Sequence, residues 1–176
     1  MDRIILVGFR CVGKTTIGEK LAEVLEWEFL DLDKEIQKKL GKTIKEIVEE
    51  KGWHYFRKIE KEEMKKLKKF KKIIIALGGG GILHKEEMES LLENSLVVWL
   101  YSSPEVILKR MKEDEKTFSQ RPALKDLDLE KEIVEVLKER MPLYEKFSHF
   151  RIDTDKLDIE EAVKNILEKL PQGSKE

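Results

Sequence analysis

The 176-residue chain reads as an α/β protein, a three-layer α/β/α fold around a mostly parallel, five-stranded sheet. Two observations predict this. Short apolar runs suited to buried strands alternate with longer segments of helical period, the pattern of βαβ units with helices on both faces of a sheet. The length, against ~100–200 residues per domain, leaves room for one domain, and an apolar content of 40% is enough for one core.

The elements follow in order along the chain. Residues 3–7 read as a buried strand. Residues 16–26 read as a helix with Ile17, Leu21, Val24 and Leu25 on one face. A short strand at 28–31 precedes a helix at 33–40 that stops at Gly41. Thr43-Ile44-Lys45-Glu46 is a capping box that starts another helix. Gly52 punctuates it, and 53–70 is a long charged helix. A strand at 72–77 runs into four glycines, Gly78 to Gly81. A helix at 85–93 and a strand at 96–100 come next. Ser103-Pro104 places an N-cap before a proline at the first helical position, opening a helix through about 112. Residues 113–126 are polar and aperiodic, hence loop-like. A helix at 128–146, a strand at 149–152 and a helix capped by Asp158 and running to 170 complete the domain, 1–170, with 171–176 as a tail.

Composition narrows the function. The 35 basic and 36 acidic residues nearly cancel, so a basic nucleic-acid-binding surface is disfavoured. No apolar stretch approaches the ~18 residues of a membrane span. Cys11 is alone, which excludes an intrachain disulfide or a cysteine metal cluster and suits the cytoplasm. Charged residues make up 40% of the chain with few Asn and Gln, a composition typical of proteins from hot environments. Only seven of the 35 cations are Arg, so each Arg invites the question of what its planar fork grips.

Ligands of such sheets bind at the carboxyl ends of the strands. There, Gly8-Phe9-Arg10-Cys11-Val12-Gly13-Lys14-Thr15 fits G-x-x-x-x-G-K-[ST], a phosphate-binding loop whose backbone N–H groups and following helix dipole face an anion. Lys14 reaches the β/γ-phosphates and the Thr15 hydroxyl suits Mg²⁺. With Gly at ~7% of residues, such a match arises by chance in roughly 1% of chains this long. At the end of the second strand, alternation places the Asp31 and Asp33 carboxylates on one side of an extended segment. Beside a phosphate loop, one suits the metal shell and the other a substrate hydroxyl; alone, Asp33 would simply cap the next helix. Arg57 and Glu60 share a helix face, either as a surface ion pair or, as the scarcity of arginine suggests, in a functional role. The glycine run allows another molecule or backbone to approach closely. His54, His84 and His149 are scattered without metal-ligand spacing.

The motifs fall in order: the phosphate loop, Asp31-x-Asp33, Phe56-Arg57-x-x-Glu60, Gly78-Gly79-Gly80, Gln120-Arg121-Pro122 and Arg140-x-Pro142-Leu143-Tyr144. The set resembles the shikimate kinase family. The resemblance implies a phosphate-loop kinase fold of the nucleoside-monophosphate-kinase-like group, and ATP- and Mg²⁺-dependent phosphorylation of the 3-hydroxyl of shikimate. Another small-metabolite kinase, for gluconate or a nucleotide, and a non-catalytic nucleotide switch are the alternatives. By position, Cys11, Val12, Gly13, Lys14, Thr15 and Thr16 would cradle ATP. Thr15, and Asp31 through water, would hold Mg²⁺. Asp33, Arg57, Gly79 and Arg140 would bind shikimate. Lys14, Asp33 and Arg121 would be catalytic, with Arg121 in a lid at about 113–126 and the substrate-binding helices at about 33–70. Arg110 and residues 151–155 would flank the adenine. A monomer acting on ATP and shikimate, with neither nucleic acid nor membrane as partner, is expected. Six of the seven Arg, all but Arg3, fall in or beside these segments. Two departures stand out: Cys11 occupies a position usually glycine in the family, and Trp53-His54 follow Gly52 where the family often has Glu.

Overall fold

The computed structural model describes residues 1–114, 123 and 128–171. Five strands form one parallel sheet: β1 (Arg3–Val7), β2 (Glu28–Asp31), β3 (Ile73–Ala76), β4 (Ser95–Tyr101) and β5 (Phe150–Asp153), in the order β2-β3-β1-β4-β5. Among the described residues the helices are α1 (Lys14–Leu25), α2 (Leu32–Leu40), α3 (Ile44–Leu67), α4 (Lys85–Leu92), α5 (Pro104–Glu113), α6 (Leu129–Phe147) and α7 (Ile159–Glu168), with a 3-10 turn at Gly81–Leu83. The expected three-layer architecture is therefore present.

Strand alternation sorts the core into two layers. Ile4 and Leu6 of β1 join Ile17, Leu21, Ile107, Ile133 and Ile166, so α1, α5, α7 and the start of α6 cover one face. Ile5 and Val7 join Ile36, Phe56, Met64, Met88 and Tyr144, so α2, α3, α4 and the end of α6 cover the other. Helix α6 thus passes from one layer to the other and carries Arg140 across between them. The central strand β1 lies between β3 and β4, and the Leu77 amide donates to Leu6 O at 3.0 Å. This brings the phosphate loop after β1 beside the glycine run after β3.

Local chemistry explains most boundaries. Thr43 and Glu46 form the capping box, Ser103 accepts from the Val106 amide ahead of Pro104, and Asp158 caps α7. Gly52 interrupts α3 at φ 78°, ψ 166°; α3 ends at Leu67 rather than 70. Two expectations need correction. Asp31 and Asp33 do not share an extended segment, because α2 starts directly at Leu32; Asp31 ends β2 and caps α2 through the Lys34 amide, while Asp33 lies in the first helical turn. Val24 is not on the buried face of α1: the stripe centres on Gly18, Leu21 and Leu25, leaving Val24 at its rim, 50% exposed. Arg3, the arginine outside the candidate segments, is a structural fork, donating to Ser95 Oγ, Lys68 O, Phe70 O and Glu93 O.

Candidate functional site

The carboxyl edge of the sheet carries three adjoining cavities. The first, of about 660 Å³, is lined by Gly13, Lys14, Thr15, Asp31, Asp33 and Arg10 among others. The loop wraps as its glycines allow, and Lys14 Nζ donates to the carbonyls of Gly8 (2.8 Å) and Phe9 (2.5 Å), holding the ammonium over the loop. Cys11 adopts φ 58°, a left-handed conformation suited to the glycine it replaces. Its side chain is half-buried beside this cavity, while Val12 is buried in the core at 1% exposure and serves the loop through its backbone. Thr15 Oγ1 donates to Asp31 Oδ2 at 2.9 Å. Among the described residues no three acidic, His or Cys side chains converge. The hydroxyl and carboxylate oxygens nonetheless fit Mg²⁺, which keeps waters and phosphate oxygens as ligands in place of an all-protein cage.

The second cavity, of about 320 Å³, is lined by Asp33, Arg57, Glu60, Gly79, Arg140 and Trp53, together with Arg10. It shares Arg10, Asp33 and Gly78 with the first. A Cβ on Gly78 would lie 2.4 Å from Asp33 Oδ1, and one on Gly80 would lie 2.1 Å from Arg57 Nη1. The absence of side chains at Gly78 and Gly80 therefore lets Asp33 and Arg57 lie against the backbone. Arg57 is no surface ion pair: its Nη1 sits 2.6 Å from Oε2 of Glu60, which is 0% exposed. Burial alone would raise the Glu60 pKa, but the hydrogen bonds and charges of His84 and Arg57 outweigh it and hold the carboxyl below its ordinary range. Arg140 is 6% exposed, and burial, with Arg57 nearby, works against its charge. Two crowded cations facing one cavity favour an anionic ligand. Tyr144 donates to Gly79 O at 2.8 Å, and its burial raises the phenol to about 12.

The third cavity, of about 770 Å³, includes Arg110, Thr154, Leu157, Ile159, Thr16 and Val12. Arg110 reaches Cys11 O at 3.2 Å and Thr154 O at 3.0 Å, tying the loop to the end of β5. Arg151 does not flank this cavity as expected. Ile152 occupies one face of β5, so its neighbour Arg151 turns to the other and lies over the rings of Trp99 and Tyr101 at 5.4 and 4.9 Å. Arg121 and most of 113–126 lie outside the described residues.

Three contributors escaped the sequence reading. Arg10 borders two cavities at 7% exposure, with Nη2 4.0 Å from Glu132 Oε1; its place in the phosphate loop and the scarcity of arginine were signals, but neither gave it a role. Trp53 lies along Arg57 at 5.0 Å and donates from Nε1 to Ala123 O at 3.0 Å. His84 contacts Glu60 at 2.8 Å across 24 positions, a separation no local pattern reveals.

A phosphate loop on the central strand of a parallel sheet, opening into a neighbouring cavity with an acid and two arginines, defines a phosphate-loop kinase of small molecules. The profile of the family described as Shikimate kinase matches residues 10–171. Shikimate kinases of Caldanaerobacter subterraneus subsp. tengcongensis and Caldicellulosiruptor bescii are 38% and 40% identical over 167 residues, 95% of this chain and 95% and 94% of theirs. The chain belongs to the shikimate kinase family. Among solved structures, the enzyme from Acinetobacter baumannii in complex with shikimate superposes with a TM-score of 0.87 at 36% identity, over 97% of this chain and 96% of that one. A gluconokinase from Sinorhizobium meliloti, at TM-score 0.57, 19% identity and coverage of 95% and 90%, shares the fold alone.

Proposed function

We propose that this chain transfers the γ-phosphoryl group of ATP to the 3-hydroxyl of shikimate, releasing ADP and shikimate 3-phosphate. The observation that carries this reading is the convergence of Arg57, Arg140 and Asp33 on one cavity adjoining the phosphate loop. A carboxylate on an acceptor ring suits the two guanidinium groups, and hydroxyls suit Asp33. The shikimate held by the Acinetobacter baumannii relative supports the same acceptor.

Phosphoryl transfer asks mainly for positioning and for compensation of charge on the γ-oxygens. Cys11, Val12, Gly13, Thr15 and Thr16 hold the phosphates, and Lys14 turns from the loop carbonyls to the β/γ-oxygens when ATP arrives. Asp33 orients the attacking hydroxyl and takes its proton. Arg57 and Arg140 grip the carboxylate, and Gly79 offers its backbone to a ring hydroxyl. Thr15 and, through water, Asp31 would hold Mg²⁺, which would supply positive charge to the phosphate oxygens. Arg110 and Thr154 border the adenine. Helices within 33–70 present the acceptor side, and 113–126 closes as a lid that brings Arg121 to the transferring group. Among the described residues no helix is long and apolar enough to cross a membrane. With ATP as co-substrate, we place the enzyme in the cytoplasm as a monomer. The test is ADP release coupled to a reporter enzyme: shikimate drives turnover, while gluconate and nucleoside monophosphates leave it at the acceptor-free rate. Turnover with either of those and none with shikimate reassigns the substrate.

A further inference from the structure

We propose that His84 is a positioning residue for the acceptor, acting through Glu60 to fix the guanidinium of Arg57. This inference rests on the reading that Arg57 grips the carboxylate of shikimate.

The argument begins with one oxygen atom. Glu60 Oε2 receives both Arg57 Nη1 at 2.6 Å and His84 Nε2 at 2.8 Å. An ionised carboxylate only accepts hydrogen bonds, so Nε2 carries the proton in this contact. Glu60 Oε1 is buried and has no hydrogen-bond partner among the described residues. A buried carboxylate is tolerated only with paired and hydrogen-bonded neighbours, and here both of its donors converge on a single oxygen.

His84 is held independently of Glu60. It joins the 3-10 turn to α4: its amide donates to Gly81 O at 3.1 Å, and its carbonyl accepts from the Met88 amide at 2.9 Å. Its backbone is therefore fixed next to the glycine segment, whose Gly78, Gly79 and Gly80 line the cavity together with Arg57 and Glu60 of α3. Arg57 lies between the Trp53 ring, 5.0 Å away, and Gly80, whose missing side chain makes its room. These surfaces define the plane of the guanidinium but not its position along that plane. Glu60 sets that position, and His84 sets the orientation of Glu60. Without the His84 donor, the carboxylate can turn to present either oxygen, and Nη1 follows it.

The experiment compares His84→Leu, which removes the donor, with His84→Gln, whose longer amide can still donate to Glu60. His84→Asn is the third variant; it stays polar but its amide stops short. Shikimate affinity is measured by calorimetry without nucleotide, alongside steady-state kinetics. The expected result is a rise of about ten-fold in both the Kd and the KM for shikimate in His84→Leu and His84→Asn, the scale of one weakened hydrogen bond to a charged group. Turnover and the KM for MgATP stay within about two-fold, and His84→Gln returns to near the wild-type affinity. In an Arg57→Ala background, adding His84→Leu changes the Kd by less than about two-fold, because the group it positions is gone. An unchanged Kd in folded His84→Leu or His84→Asn overturns the proposal, as does an equal loss with and without Arg57. Absence of shikimate-dependent ADP release by the wild type instead overturns the functional reading beneath it.

Discussion

The separation of loop chemistry from acceptor binding gives two residues opposite signatures. Lys14 donates to two loop carbonyls, yet its position at the mouth of the loop suits charge on the transferring group. Lys14→Ala is expected to lower turnover by ~10²–10⁴-fold, the range for losing one preorganised charge or donor. Near-normal turnover in a rapid-quench assay would remove Lys14 from the catalytic set. Gly80 has an ordinary backbone conformation, φ −93°, so alanine there meets no backbone strain. Its methyl group would instead occupy the space of the Arg57 guanidinium. Gly80→Ala should therefore weaken shikimate binding by about ten-fold or more, since a displacement near 1 Å can cost ~10²-fold. ATP affinity measured without shikimate should be unchanged. Calorimetry with each ligand separates the cases; equal losses for both would mean that the whole edge of the sheet had shifted.

Elements carry a different kind of information, because each is set by local chemistry and then placed by its neighbours. The kink at Gly52 is the clearest case. At φ 78°, ψ 166° it occupies a region essentially closed to side chains, although nothing lies within 4 Å of where a Cβ would be. Gly52→Ala thus tests the backbone alone. Strain of ~1–3 kcal/mol is expected, partly offset by the ~0.4–1 kcal/mol that alanine gains through a less flexible unfolded chain. A fall in the urea midpoint at constant slope is the expected observation; an unchanged midpoint would mean that α3 can straighten. Strands and caps were legible because their causes are local: β1 and β4 are continuous apolar runs, and Thr43, Ser103 and Asp158 announce helix starts by their own hydrogen bonds. The phosphate loop was legible for the same reason, being eight consecutive residues. What eluded the sequence is set by neighbours. Whether a strand passes straight into a helix decided Asp31 against Asp33, strand parity decided Arg151, and the helix face left uncovered decided Val24. The His84–Glu60 contact needed the tertiary fold, since only the juxtaposition of α3 with the glycine turn creates it.

Across the whole molecule, the site is tied to the core through Tyr144, and this link has a consequence at high pH. Tyr144 is 1% exposed, stacks on Trp99 at 5.7 Å and donates to Gly79 O, so one phenol joins the core beneath β4 to the wall of the acceptor cavity. Burial raises its pKa from 10.0 to about 12. A group with a raised folded-state pKa contributes stability that is fully present below the unfolded value and is lost as pH climbs toward the folded one. The window is thus pH 10 to about 12. At about 1.4 kcal/mol per pKa unit, the loss approaches roughly 3 kcal/mol across it. Tyr144→Phe keeps the ring but removes both the hydrogen bond and the titration. At pH 8 the variant should be less stable by about 1 kcal/mol, the net worth of one hydrogen bond. As the pH rises the wild type should lose its advantage, and above about pH 11 the order should reverse, because only the wild type still holds a phenol whose ionised form is favoured in the unfolded chain. Every other side chain is common to both proteins, so the difference isolates Tyr144. Urea unfolding of the pair at intervals from pH 8 to 12 measures it directly. Parallel curves would show that Tyr144 ionises as readily in the folded protein as in the unfolded chain, and the sealed contact between core and acceptor cavity would then have to be given up.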